Sequence, residues 1–209
     1  HPYGVLTGPN LANEILAGSG AATVLAMSDR TIADQLLSAF VTRSFRVYTN
    51  DDVVGCEIAG ALKNVMAIAS GMADGLGTGD NTRAAVITRG LAELSRLGTA
   101  MGGEPLTFSG LAGMGDLLAT CISPQSRNRH VGEQLGRGRT IEEIVDEMSM
   151  VAEGVKSAPV VLDLAGRYDI DMPIAHQVYR VLYVRMSAAD AYHGLLTRPQ
   201  TSEIRGLAG

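Results

Sequence analysis

The sequence predicts a mainly α-helical protein in which a large helical domain follows a short, incomplete α/β segment. Strand-like and helix-like patterns alternate over the first fifty residues, whereas apolar residues at helical spacing dominate from residue 51 onward. No Gly-x-Gly-x-x-Gly loop follows any of the early strand patterns. We therefore expect residues 1–50 to be an incomplete α/β segment and residues 51–209 to be an all-helical domain.

The early segment contains three short apolar runs separated by two amphipathic ones. The predicted strands cover residues 3–6, 22–27 and 45–48, and the predicted helices cover residues 11–17 and 31–40. Alternation of strands and helices is typical of parallel sheets. Because three strands make a small sheet, we expect this one to be incomplete.

The helical domain begins with a long apolar repeat. Apolar residues recur at helical spacing from Val54 to Met72, and glycines at Gly75 and Gly77 end the run. The pattern predicts a long helix that starts near Asp52.

Capping signals predict further helices. Asn81 or Thr82 fits the start of the next helix, and Thr140 with Glu143 forms the pattern of a capping box. Pro159 fits the first turn of a later helix, where its missing N–H costs nothing.

Composition excludes several classes of protein. With 46% hydrophobic and 19% charged residues, the chain resembles a packed soluble domain, and charges interrupt the runs of about 20 apolar residues that membrane helices need. A net charge of −5 argues against a nucleic-acid partner. Cys56 and Cys121 are too few for a disulfide framework, which predicts a reducing, cytoplasmic location. The four histidines lack metal-ligand spacing, so we expect no metal site.

Lys63 is the first candidate for chemistry. It lies inside the predicted long helix, and its neighbours one turn away, Ala59, Gly60, Met66 and Ala67, include no acidic residue. Small neighbours let a ligand or another backbone approach, and a partly buried lysine can exchange a proton near neutral pH. The competing interpretation is a solvated ammonium group on a packed side chain.

Asp116 follows a glycine-rich stretch, residues 110–115, and precedes a helical run. Asp116 either caps that helix or orients a lysine such as Lys63. Thr120, one turn further on, would point to the same side.

The segment from Ser126 to Arg129 precedes another helical run. Backbone N–H groups at a helix N-terminus attract phosphate, and an arginine adds a planar set of donors. This pattern indicates an anion site, although Ser126 as a simple cap with two exposed arginines fits equally well.

Seven blocks together resemble bacterial NAD(P)-dependent glycerol-3-phosphate dehydrogenases. They are GPNLA (8–12), FRVYTN (45–50), GALKN (60–64), TRGLAE (88–93), GMGD (113–116), SRNR (126–129) and EG (153–154). The resemblance covers almost the whole chain. It implies that residues 1–50 are the remnant of a dinucleotide-binding α/β domain of the Rossmann type. It also implies that residues 51–209 are a substrate-binding and catalytic helical domain of the 6-phosphogluconate-dehydrogenase C-terminal type, and that the protein is a homodimer. It also implies hydride exchange between NAD or NADP and dihydroxyacetone phosphate, which yields glycerol 3-phosphate for phospholipid synthesis.

The resemblance also implies catalytic roles. Lys63 corresponds to the family's proton-transferring lysine, which Asn64 and Asp116 would support, with Thr120 beside them.

Binding roles follow in the same way. The substrate contacts implied, besides Lys63 and Asp116, are Gly8, Asn10, Ser126, Arg127 and Asn128. The cofactor contacts implied are Ala12, Arg127, Val151 and Glu153. Position 10 departs from the family, which usually has Ser or Thr there.

The family's glycine-rich phosphate loop and an additional substrate lysine have no counterpart in this sequence. Since that loop holds the cofactor pyrophosphate, we expect this chain alone to bind NAD(P)H poorly and to have little turnover. Two other functions stay open: a related dehydrogenase acting on another hydroxyacid, and a noncatalytic helical module that binds a phosphorylated ligand or mediates dimerisation.

Overall fold

The computed structural model describes residues 1–148, 150 and 152–199. A small sheet and two helices precede a bundle of helices. The strands are β1 (Gly4–Thr7), β2 (Ala21–Met27) and β3 (Phe45–Asn50), and the intervening helices are α1 (Ala12–Leu16) and α2 (Arg30–Phe40). All five elements lie close to their predicted positions, and the change from strands to helices follows β3.

The predicted parallel pairing is confirmed for β2 and β3 but is wrong for β1 and β2. The strand order is β1-β2-β3, with β2 and β3 parallel but β1 and β2 antiparallel. Helix α1 has five residues and advances the chain only about 8 Å. For β2 to run parallel to β1, the connecting chain would first have to run back along the length of the seven residues of β2, which is about 23 Å. The chain therefore enters β2 in the opposite direction, whereas the longer α2 permits a parallel crossover to β3.

The bundle contains nine further α-helices and one π-helical turn among the described residues. They are α3 (Val53–Gly75), α4 (Asp80–Ala100), α5 (Pro105–Ser109), the π turn (Leu111–Gly115), α6 (Asp116–Ile122), α7 (Arg127–Gly136), α8 (Ile141–Glu147), α9 (Glu153–Arg167), α10 (Pro173–Tyr183) and α11 (Ala188–Leu196).

Helix α3 is the centre of the bundle. Asp52 caps it by accepting a hydrogen bond from the Gly55 N–H at 2.7 Å, as the predicted start near Asp52 requires. The spacing of charged residues predicts no apolar run long enough to cross a membrane. Contrary to this prediction, α3 is long and apolar enough to do so. It is instead largely buried, because α4, α6, α7 and α9 pack around it. A helix that is apolar all round is typical of such a core position.

Two glycine pairs bring α7 very close to α3. A Cβ atom on Gly132 would lie 2.0 Å from the backbone oxygen of Ile68, and one on Gly71 would lie 2.0 Å from that of Arg129. Gly75 and Gly136 make the same kind of contact one turn further on. Only glycine fits at this crossing, and it places the N-terminus of α7 beside the middle of α3.

The predicted helix starts have mixed outcomes. The Thr140 capping box is present, but α4 starts before Asn81, with Gly79 at its N-cap. Pro159 lies inside α9 rather than in its first turn. A proline in that place leaves the carbonyl four residues earlier, that of Val155, without its helical partner. The Tyr183 hydroxyl donates to this carbonyl at 2.8 Å and so compensates.

Cys56 and Cys121 are free and buried. Burial raises the pKa of the Cys56 thiol to about 11 and that of the Cys121 thiol to about 12. Both thiols are therefore protonated at neutral pH and pack as small apolar groups.

Glu93 is a buried carboxyl with a structural role. Its two oxygens accept hydrogen bonds from the N–H groups of Ile174 (2.8 Å) and Ala175 (3.2 Å), so it caps the start of α10 from α4. Burial raises the pKa of Glu93 to about 7, although the two N–H groups act in the opposite direction.

This shifted pKa predicts pH-dependent stability. Between about pH 4.5 and 7 the folded protein binds the Glu93 proton more tightly than the unfolded chain does. The stabilisation of the folded state by this tighter proton binding is therefore complete below about pH 4.5 and is lost as the pH rises through 7. The free energy of unfolding, relative to Glu93→Gln, should fall by on the order of 2–3 kcal/mol between pH 5 and 8. Urea unfolding of both proteins across this range measures the difference, and a constant difference would contradict the assignment.

Candidate active site

The centre of the candidate site is an ion pair between α3 and α6. The Lys63 ammonium group contacts Oδ2 of Asp116, and the two side chains are only 19% and 6% exposed. The sequence left open whether Asp116 caps a helix or holds a lysine. The structure places Asp116 against Lys63, and α6 has no side-chain cap.

Two further groups orient the Asp116 carboxyl. The Thr120 hydroxyl lies 2.6 Å from the Asp116 backbone oxygen and 3.3 Å from Oδ1, and the Gly8 N–H also contributes a hydrogen bond. Burial raises the pKa of Asp116, while Lys63, Thr120 and Gly8 each act to lower it. The carboxylate thus depends on its neighbours to remain ionised in a buried place.

The glycine-rich stretch before Asp116 forms the π turn rather than an open loop. A Cβ atom on Gly113 would lie 2.1 Å from the Phe108 backbone oxygen, so the chain can fold back this tightly only with glycine there. π-Helical turns occur frequently at functional sites. Here the turn places Asp116 in contact with Lys63 of α3.

The loop after β1 lies against the ion pair. Gly8 has a φ of +141°, and a Cβ atom on it would lie 3.2 Å from Cα of Thr23, which favours glycine at this position. Asn10 Nδ2 donates to the Thr23 hydroxyl at 2.7 Å. The buried Asn10 Oδ1 has no hydrogen-bond partner among the described residues.

The segment 126–129 forms the first turn of α7. Ser126 is its N-cap and accepts from the Arg129 N–H at 3.2 Å. Arg127 is exposed. The two arginines therefore differ, because Arg129 Nε donates to Oδ2 of Asp74 at 2.9 Å. This difference is not visible in the sequence.

Asn128 connects this segment to α3 and α9. Its Oδ1 accepts from the Gly154 N–H at 2.9 Å, and its Nδ2 donates to Oδ1 of Asn64 at 2.9 Å. Asn64 Nδ2 in turn donates to Oε2 of Glu153 at 3.1 Å. We call this set of bonds the amide relay. It joins three predicted site residues, Asn64, Asn128 and Glu153. The amide relay lies next to the ion pair, because Asn64 directly follows Lys63.

The remaining predicted cofactor contacts are less closely tied together. Ala12 is exposed at the start of α1. Glu14, on the same helix, accepts a hydrogen bond from Gln125 at 3.4 Å, which brings α1 beside the loop before Arg127. Val151 lies outside the described residues.

A cleft of about 700 Å³ lies elsewhere, between α4, α10 and α11. None of the predicted site residues lines it. Several of its polar groups serve the fold: Glu93 caps α10, and both Arg96 and Arg198 bond to Asp171. We therefore place the candidate site at Lys63, where the reactive groups meet.

Within the described ranges, no group of three or more His, Cys, Asp or Glu side chains is arranged to hold a metal ion. Sequence interpretation overlooked the glycines that set the α3–α7 crossing. Their signal is visible as a Gly-x-x-x-Gly pattern in both helices, at 71–75 and 132–136.

Comparison with known proteins identifies the family. Residues 52–193 match the family model for the C-terminus of NAD-dependent glycerol-3-phosphate dehydrogenase. The chain belongs to this family. It is 61% identical over 196 residues to glycerol-3-phosphate dehydrogenase [NAD(P)+] 2 of Sphingopyxis alaskensis. The matched residues are 94% of this chain and 59% of that protein. It is 55% identical over 206 residues to the Mycobacterium avium glycerol-3-phosphate dehydrogenase [NAD(P)+].

Solved structures agree in fold. The crystal structure of glycerol-3-phosphate dehydrogenase from Coxiella burnetii superposes with a TM-score of 0.91 at 42% identity, over 94% of this chain and 61% of that one. The chain therefore spans about 60% of the length of the relatives that it matches.

Proposed function

We propose that this chain supplies the proton-transferring and substrate-binding part of an NAD(P)-dependent glycerol-3-phosphate dehydrogenase. The reaction is the reversible reduction of dihydroxyacetone phosphate to sn-glycerol 3-phosphate, for glycerophospholipid synthesis. The observation that carries the proposal is the nearly buried Lys63–Asp116 ion pair. A lysine held in this way is suited to protonate a carbonyl oxygen and to take the proton back in reverse.

The neighbours of Lys63 define its task. Asp116 holds the ammonium group in one place, and Thr120 holds Asp116. Lys63 gives its proton to the C2 carbonyl oxygen of dihydroxyacetone phosphate as C2 is reduced. The unpartnered Oδ1 of Asn10 accepts a hydrogen bond from a substrate hydroxyl, which would satisfy the one buried acceptor that this loop leaves open.

The residues present fit the nicotinamide end of a cofactor. Glu153 offers an exposed carboxylate at the first turn of α9, which suits the amide of a nicotinamide, and the exposed Arg127 suits phosphate. Ala12 and Val151 complete the proposed contacts. When bound, NAD(P) supplies or accepts the hydride at C2.

The phosphate is assigned to the first turn of α7. Ser126, Arg127 and Asn128 offer a helix N-terminus, a guanidinium group and a carboxamide in succession, a combination that favours an anion. Gly8, whose N–H donates a hydrogen bond to Asp116, is a further proposed substrate contact.

Replacing Arg127 tests this assignment. The protein to use is a full-length chimaera, in which this chain is joined to the part of the Sphingopyxis alaskensis relative that it does not cover. Arg127→Ala should raise the KM for dihydroxyacetone phosphate by roughly 10- to 100-fold, because a charge-assisted contact to phosphate is lost. Arg137→Ala, which removes an exposed arginine at the other end of α7, is the control. An unchanged KM for Arg127→Ala would favour a hydroxyacid substrate without phosphate.

The remaining parts of the proposal concern the whole protein. We propose that residues 1–50 belong to the dinucleotide-binding domain and residues 51–209 to the substrate domain, and that the enzyme acts in the cytoplasm as a homodimer. The resemblance in sequence supports the dimer. The free, buried cysteines suit a reducing compartment.

A further inference from the structure

The amide relay has a fixed direction. A backbone N–H can only donate, so the Gly154 N–H requires an acceptor, and Asn128 must turn its Oδ1 toward it. Asn128 Nδ2 then faces Asn64, which must present Oδ1. The other end of the Asn64 amide is consequently a donor, and the group that faces it must accept.

Glu153 is that final acceptor, and its place in the fold suits the task. The relay starts at the second residue of α9 and ends at the first, so it closes on one helical turn. Ala152, the N-cap of α9, has no side chain that could cap the helix, and Asn128 caps it from α7 instead. A carboxylate in the first turn of a helix is also favoured by the helix dipole.

We propose that Glu153 is a positioning residue, which fixes the orientation of the Asn64 and Asn128 carboxamides and thereby the donors they present to the substrate. Each NH₂ group has two hydrogens, and the relay uses one of them. The other remains for an oxygen of the bound phosphoester. This inference rests on the proposed function for its substrate, but the relay itself is a property of the fold.

The first experiment measures the folding equilibrium of this chain by urea denaturation. Asn128→Asp keeps the acceptor for Gly154 but has no NH₂ group, so Asn64 must turn over and present its oxygen to Glu153. Two acceptors then face each other, and the folding equilibrium constant should fall about tenfold or more. Adding Glu153→Gln should recover most of this loss, since glutamine can turn its NH₂ group toward Asn64.

This rescue distinguishes a relay from simple packing, because the Asn64 carboxamide connects the side chains of residues 128 and 153. The matched control is Asn128→Asp with Glu142→Gln, which removes the same charge from the first turn of α8. Recovery with Glu153→Gln alone supports the proposal. Equal recovery in both double variants, or recovery in neither, overturns it.

The second experiment tests positioning in the full-length chimaera. Glu153→Lys presents only donors and should raise the KM for dihydroxyacetone phosphate about tenfold at saturating NAD(P)H, whereas Glu153→Gln should raise it much less. A change confined to the KM for NAD(P)H would show that Glu153 contacts cofactor without positioning the amides. The denaturation result does not depend on turnover, so the relay and the proposed function can fail separately.

Discussion

Replacing Lys63 with alanine in the full-length chimaera should lower kcat for dihydroxyacetone phosphate reduction by about 10³-fold, with a much smaller change in KM. A positioned general acid contributes roughly 10²- to 10⁴-fold to such a reaction. The replacement also removes the strongest of the groups that oppose the effect of burial on Asp116, so the pKa of that carboxyl should rise further. Steady-state kinetics with NADPH measure the loss directly.

Two controls separate proton transfer from charge. Lys156, the only other lysine in the sequence, is exposed on α9, and Lys156→Ala should leave turnover unaffected. Lys63→Arg keeps a cation beside Asp116, but arginine does not release its proton at neutral pH, so this variant should also be severely impaired. Normal turnover in Lys63→Ala would contradict the assignment of Lys63 as the proton donor.

The second large effect is expected at the crossing of α3 and α7. In Gly132→Ala the new methyl group would lie 2.0 Å from the Ile68 backbone oxygen, so the two helices must move apart. Overpacking against backbone should lower the free energy of unfolding by about 3 kcal/mol, despite the better helix propensity of alanine. The shift would also separate Asn128 from Asn64. Urea denaturation of this chain measures the first effect.

Gly166→Ala is the matched control. Gly166 also lies in a helix, α9, but a Cβ atom there meets nothing within 4 Å. Its stability should be unchanged or rise by up to about 1 kcal/mol, since alanine favours helix. Similar losses in both variants would mean that the close crossing is not what requires glycine at position 132.

Much of the fold could be predicted because local patterns determine it. The apolar repeat that ends at Gly75 and the capping box at Thr140 are properties of short segments, and both elements formed as expected. Strand direction and the internal place of Pro159 could not be predicted in this way. They depend on how far α1 reaches and on a hydroxyl from Tyr183, which are contacts between distant parts of the chain.

The candidate site shows the same division. Residue types and family blocks pointed to Lys63 and Asp116, and the structure brings them into contact. The different surroundings of Arg127 and Arg129 were not predictable, because Asp74 on another helix holds only the second. The direction of the amide relay was equally hidden, since it follows from one backbone N–H of α9, at Gly154.

The most direct measurement is a crystal structure of the full-length chimaera with dihydroxyacetone phosphate and NAD(P)⁺ bound. The substrate carbonyl oxygen should lie about 3 Å from Lys63 Nζ, at hydrogen-bonding distance, with the phosphate against Arg127 at the first turn of α7. A substrate bound in the cleft between α4, α10 and α11, or with its carbonyl turned away from Lys63, would contradict the proposed active site.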